Sequence, residues 1–129
     1  MTASSLGPPV EDLVSIEVLR SGSSVCVTAA GEIDSSSAPL LREQLDTMLE
    51  SPLTELTIDL GGVTFLDSAG LCVLAATHRR AVRQDVTMRV LASSRAVIRP
   101  LQITGLWQLL HAEQVDESTT TVPIKQGVA

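Results

Sequence analysis

Aromatic side chains are nearly missing from this 129-residue chain: Phe65, Trp107 and no tyrosine make up 2% of it. The core therefore has to be aliphatic, and the surface has no platform on which bases could stack, which argues against direct nucleic-acid binding. Positive charge is scarce as well. Nine Lys and Arg stand against fifteen Asp and Glu, a formal net charge of −6, so the chain as a whole has no electrostatic attraction for DNA, RNA or an anionic membrane. The best local basic cluster, Arg79, Arg80 and Arg83, is short and suits the C-terminal end of a helix. A protein partner fits this balance better than a polyanion. No apolar run approaches the roughly 20 residues that a membrane helix needs. The opening residues have neither the basic start nor the apolar stretch of a secretory signal, so a cytoplasmic location is expected. Cys26 and Cys72 show no CxxC and no metal-ligand spacing; with apolar neighbours, both are expected to be reduced packing residues.

Catalytic equipment is equally thin. The chain has two histidines, His78 and His111. A nucleophile elbow reads G-x-S-x-G, whereas Ser68 sits in Leu66-Asp67-Ser68-Ala69-Gly70, without the first glycine. His78 lies ten residues further along the same expected helix, about 15 Å away and out of reach of Ser68. Gly61-Gly62 lacks the lysine and spacing of a phosphate-binding loop, and no HExxH occurs. A serine hydrolase is thus a poor reading, and no cofactor or metal is expected.

What is present is alternation. Val14 to Val18 alternates apolar and polar residues, Ser21-Gly22-Ser23 makes a turn, and Val25 to Ala30 returns as a second strand. Gly31-Glu32-Ile33-Asp34 leaves the sheet. Ser35 to Pro39 opens a helix that a hydroxyl can cap, and Pro52 ends it. Glu55 to Leu60 is a strand, with a loop from Gly61-Gly62 to Asp67. A helix follows from Ser68 to about Arg83, with Leu71, Leu74, Ala75, His78 and Val82 on one side. Thr87 to Leu91 is a strand. Ser93-Ser94 caps a third helix that Gly105 ends, and Trp107 to Leu110 is a further short apolar element. The order β-β-α-β-α-β-α predicts one α/β domain: a central mixed sheet, parallel in its later part, with helices mainly on one face. Residues 12–117 form that domain, 1–11 a disordered segment and 118–129 a flexible tail.

Asp67-Ser68-Ala69-Gly70 stands where a loop enters a helix, and on local grounds Asp67 or Ser68 is simply an N-cap. The wider pattern adds to this. Gly31-Glu32-Ile33-Asp34 before a serine-rich helix start, Leu56-Thr57-Ile58-Asp59-Leu60, Val63 through Leu71, and Thr104-Gly105-Leu106 together resemble the STAS domain of bacterial anti-anti-sigma factors over roughly residues 13–117. The resemblance implies an anti-sigma factor antagonist. Such a protein binds an anti-sigma factor, a serine kinase of the histidine-kinase-like ATPase type, and so frees a sigma factor. Phosphorylation by that kinase ends the binding and a phosphatase restores it. Ser68 matches the phosphorylated position, and Ala69 leaves one hydroxyl within the motif. Asp34, Asp67, Ser68, Ala69, Gly70, Leu71 and Cys72 are the expected partner-facing residues. Asp34 could equally be an exposed turn residue, Asp67 a plain cap and Leu71 a core residue. Weak homodimerisation is compatible with the sequence. The competing reading is a structural STAS subunit of a stress-signalling or lipid-transport complex whose serine is never phosphorylated.

Overall fold

The computed structural model describes residues 14–115; the expectations of a disordered start and a flexible tail fall outside that range. Within it the chain runs β1 (Val14–Ser21), β2 (Ser24–Ile33), α1 (Ala38–Leu49), β3 (Glu55–Leu66), α2 (Ser68–Arg83), β4 (Thr87–Ala92), α3 (Arg95–Ile103), α4 (Leu106–Leu109) and β5 (Ala112–Gln114). The strands lie side by side in sequence order. β1 pairs antiparallel with β2, and every later pairing is parallel. The mixed sheet is thus as expected, with α4 and β5 added at the end. Three residues of β5 are too few to show an alternating pattern in sequence, and only pairing of Val90 to Ala92 with Ala112 to Gln114 identifies them as a strand.

Alternation explains the layering. Val25, Leu56 and Met88 sit in register across β2, β3 and β4, as do Val27, Ile58 and Val90, and all six are buried. The reverse side carries Cys26, Thr57 and Arg89, then Thr28, Asp59 and Leu91, none of them fully buried. Leu41, Leu45 and Leu49 of α1, Val73, Leu74 and Ala81 of α2, and Val97 and Leu101 of α3 close over the apolar side.

Two strands run further than their sequence suggests. β2 continues through Gly31 to Ile33, and β3 passes straight through Gly61-Gly62 to Leu66. The glycines are not loop residues: a Cβ on Gly62 would come within 2.9 Å of the Ala30 Cβ, so glycine permits a close approach of the two strands. Two register shifts in this stretch are β-bulges, and the Asp59 carboxylate accepts the Gly61 N–H at 2.9 Å beside the first. Both strands therefore end together at the pair Ile33 and Leu66.

The expected faces and caps also shift. On α2 the buried stripe is Gly70, Val73, Leu74, Thr77 and Ala81, one position off the expected side, while Val82 is 60% exposed. Thr77 can be buried because its hydroxyl donates to the Val73 carbonyl one turn back, at 2.8 Å. Neither serine-rich helix start works as a side-chain cap. The Ser37 hydroxyl donates to the Glu32 carbonyl at 2.7 Å, and Ser93 and Ser94 donate to the carbonyls of Gly61 and Val63 at 2.8 and 3.1 Å. These hydroxyls fasten the helix starts to the carbonyls of β2 and β3.

Candidate functional site

Parallel strands deliver their following loops to one edge of the sheet, which is where α/β proteins place their sites. Here β2 and β3 end side by side, and Asp34 and Asp67 are the first residues beyond the paired Ile33 and Leu66. Adjacent strands lie about 5 Å apart. The junctions are tied directly, the Asp67 N–H donating to the Ile33 carbonyl at 3.1 Å.

Asp67 is the N-cap of α2. Its backbone is extended, and its Oδ1 accepts the N–H of Ala69 at 2.9 Å and of Gly70 at 3.4 Å. Asp67 thus caps the helix, as its place before Ser68 allowed. Ser68 is the first residue of the helix and is exposed; among the described residues its hydroxyl makes no hydrogen bond. The Leu71 N–H donates to the Asp67 carbonyl at 3.1 Å. Three first-turn amides are thus engaged, and an anion on Ser68 would meet the field of the helix end more than free N–H groups.

Asp34 organises the neighbouring loop. Its Oδ1 accepts the Ser36 N–H at 2.9 Å, the Ser36 hydroxyl at 2.7 Å and the Ser37 N–H at 3.2 Å. The hydroxyl and amide of Ser36, followed by the Ser37 N–H, hold the carboxyl below the ordinary aspartate range. Ser37 is buried and accepts the Asp34 N–H at 2.9 Å. The Asp34 carboxylate is thereby kept ionised at the edge of the sheet, beside the start of α2.

Gly70 explains how α2 can begin so close to the sheet. A Cβ there would collide with Leu66 Cδ1 and come within 2.9 Å of Ile33 Cγ2. The motif glycine is buried and is a packing residue. Ala69 and Leu71 are partly buried and pack on the core. Cys72 is exposed, so the expectation that it packs inside does not hold; Cys26 is half-buried on the far side of the sheet, and both are free. Of the expected partner-facing residues, Ser68 and Cys72 present surface one turn apart, with Asp34 and Asp67 half-exposed beside them. Phe65 is a further exposed residue at this end of the sheet, one that the sequence pattern did not single out. It is 46% exposed at the end of β3, paired with Glu32. The signal was in the sequence: one of two aromatics, three residues before the motif serine. Reading residues 61–67 as a loop hid it. Trp107, by contrast, packs against the core.

Nothing in the geometry suggests metal binding among the described residues, where no group of three or more His, Cys, Asp or Glu is gathered. No helix among them is long and apolar enough to cross a membrane.

The STAS domain family matches residues 15–120. An anti-sigma-B factor antagonist of Bacillus subtilis (strain 168) is 34% identical over 104 residues, which covers 81% of this chain and 94% of the relative. The anti-sigma-F factor antagonist RsfB of Mycobacterium tuberculosis (strain H37Rv) is 34% identical over 95 residues, covering 74% of this chain and 77% of its own. Among solved structures, an anti-sigma factor antagonist from Mycobacterium paratuberculosis superposes with a TM-score of 0.75 at 30% identity, over 86% of this chain and 94% of that one.

Proposed function

The chain belongs to the STAS domain family, and on that footing we propose that it is a cytoplasmic anti-sigma factor antagonist switched by phosphorylation of Ser68. In the unmodified state the edge formed by Phe65, Ser68, Cys72 and the Asp34 loop docks on an anti-sigma factor that is itself a serine kinase of the histidine-kinase-like ATPase type. Docking displaces the sigma factor. The kinase then transfers the γ-phosphoryl group of ATP to the Ser68 oxygen, ADP leaves, and the hydroxyl proton passes to a base of the kinase. A phosphatase hydrolyses the ester and restores binding. The chain acts as substrate and ligand in this cycle, not as catalyst.

The observation that carries the reading is the position of Ser68: exposed, first in its helix, with no described partner for its hydroxyl, and flanked by the carboxylates of Asp67 and Asp34. A phosphate adds about −1.5 to −2 charges. The helix end tolerates it, so the fold is kept. Three anionic groups would then face the partner from one edge. Like-charge juxtaposition at an interface costs several kcal/mol, and each 1.4 kcal/mol is tenfold in affinity. The switch therefore works across the interface without refolding.

The test is titration of the anti-sigma factor with wild type, Ser68→Ala and Ser68→Asp, together with mass mapping after incubation of wild type with that kinase and ATP. Ser68→Ala should bind like wild type and stay bound in the presence of ATP. Ser68→Asp should bind at least tenfold more weakly, and the phosphate should map to Ser68. A wild type that binds but takes no phosphate points to the structural-subunit role.

A further inference from the structure

The second half of α2 is dressed unlike the rest of this acidic protein. Arg42 from α1 and Arg79, Arg80 and Arg83 from α2 line a groove between the two helices, with Asp46 as the one carboxylate among them. Four of the nine basic side chains in a chain of net charge −6 thus face one place. Asp46 is shared between Arg42 at 3.7 Å and Arg80 at 3.4 Å, and Arg80 also donates to Gln84 at 2.8 Å. Arg79 and Arg83 form no ion pair among the described residues. On the other flank of the helix the same two arginines line an apolar groove with Ala75, Val82 and Leu109. Val82 is 60% and Leu109 50% exposed, so the groove offers apolar surface to a partner. The stripe Ser68, Cys72, Ala75, Arg79, Val82 follows the helical repeat of three and four, so this surface continues from the switch and lies about 16 to 21 Å below it along the axis.

We propose that this face of α2 is a second docking surface for the anti-sigma factor, fitted to an acidic segment that carries an exposed apolar side chain. The inference rests on the proposed function above and extends the footprint of the same partner down the helix. Charge complementarity names the chemistry of the segment. Carboxylates would meet Arg79, Arg83 and Arg42, while the apolar side chain enters the groove against Val82 and Leu109. One segment can engage both because Arg79 and Arg83 form the wall between the two grooves. Exposed charge of this kind mainly raises the association rate and is screened by salt.

The test titrates the purified anti-sigma factor that wild type binds, at low and at high salt, with Arg79→Glu/Arg83→Glu and with Arg95→Glu/Arg99→Glu. The second pair makes the same charge change on α3, and thermal melts verify that both fold. The α2 pair should lose at least tenfold in affinity at low salt, with much of the loss disappearing at high salt, and the α3 pair should change less than twofold. Val82→Ser should weaken binding to a similar extent at both salts. Equal losses for the two pairs would reduce the effect to net charge and overturn the proposal. So would unchanged binding by the α2 pair while Ser68→Asp releases the partner, an outcome that leaves the proposed function intact. Should wild type bind no anti-sigma factor, both readings fail together. A loss by the α2 pair of binding to phosphatidylglycerol vesicles, without loss of the protein partner, would assign the surface to lipid instead.

Discussion

Replacing Gly70 by alanine sets two known effects against each other. In a helix, alanine is favoured over glycine by up to about 1 kcal/mol. At this position the added methyl would overlap Leu66 Cδ1 and press on Ile33 Cγ2, and both of those side chains are buried and held by their strands. Forcing an extra methyl into such packing costs typically about 1 to 3 kcal/mol. The steric term should win, leaving Gly70→Ala destabilised by roughly 1 to 2 kcal/mol, a fall in Tm of about 4 to 10 °C for a domain near 100 residues. Urea unfolding should show a lower midpoint with an unchanged slope. Shortening the obstacle should restore part of the loss, so the pair Gly70→Ala with Leu66→Val should be less destabilised than the sum of its single changes. A Gly70→Ala protein as stable as wild type, or more stable, would refute the claim that α2 begins in contact with the strand ends.

Asp67→Ala removes the cap that holds the Ala69 and Gly70 amides and should cost about 1 kcal/mol in chemical denaturation, whereas Asp67→Asn or Asp67→Ser should keep most of that stability. Phe65→Ala should change stability by less than about 1 kcal/mol, since the ring is half exposed. It should weaken anti-sigma factor binding by tenfold or more by calorimetry, because exposed aromatics at such an edge act as anchors; unaltered affinity would put Phe65 outside the interface. His78 is held below its ordinary pKa, first by burial, then by His111 and Arg79. The folded state then binds fewer protons than the unfolded state just below the ordinary histidine pKa, so stability should fall as pH drops from about 7 toward 5.5. His78→Gln should flatten that part of the curve in melts recorded across pH.

Local pattern determined much of this protein. Alternation in Val14 to Val18 and in Glu55 to Leu60 marked strands, the helical spacing of Leu40, Leu41, Leu45, Met48 and Leu49 marked a helix, and the junction ending in Asp67-Ser68 marked a helix start; each of these depends on neighbours within a few residues. Aliphatic composition and negative charge likewise belong to the sequence alone. Long-range contact decided the rest. Gly61-Gly62 reads as a break until β2 lies alongside and the close approach to Ala30 makes a bulged strand of it. β5 exists only as a partner of β4. The serines at 37, 93 and 94 look like caps, yet carbonyls of β2 and β3 are the acceptors that reach them. α2 carries apolar residues on more than one side, so its pattern left the buried face undetermined. The fit of Gly70 against Ile33 and Leu66 turned it, and in doing so brought Ser68 and Val82 to the surface. Hydrogen bonding and steric exclusion act between residues thirty positions apart, and a reading of neighbours has no access to which of them will meet.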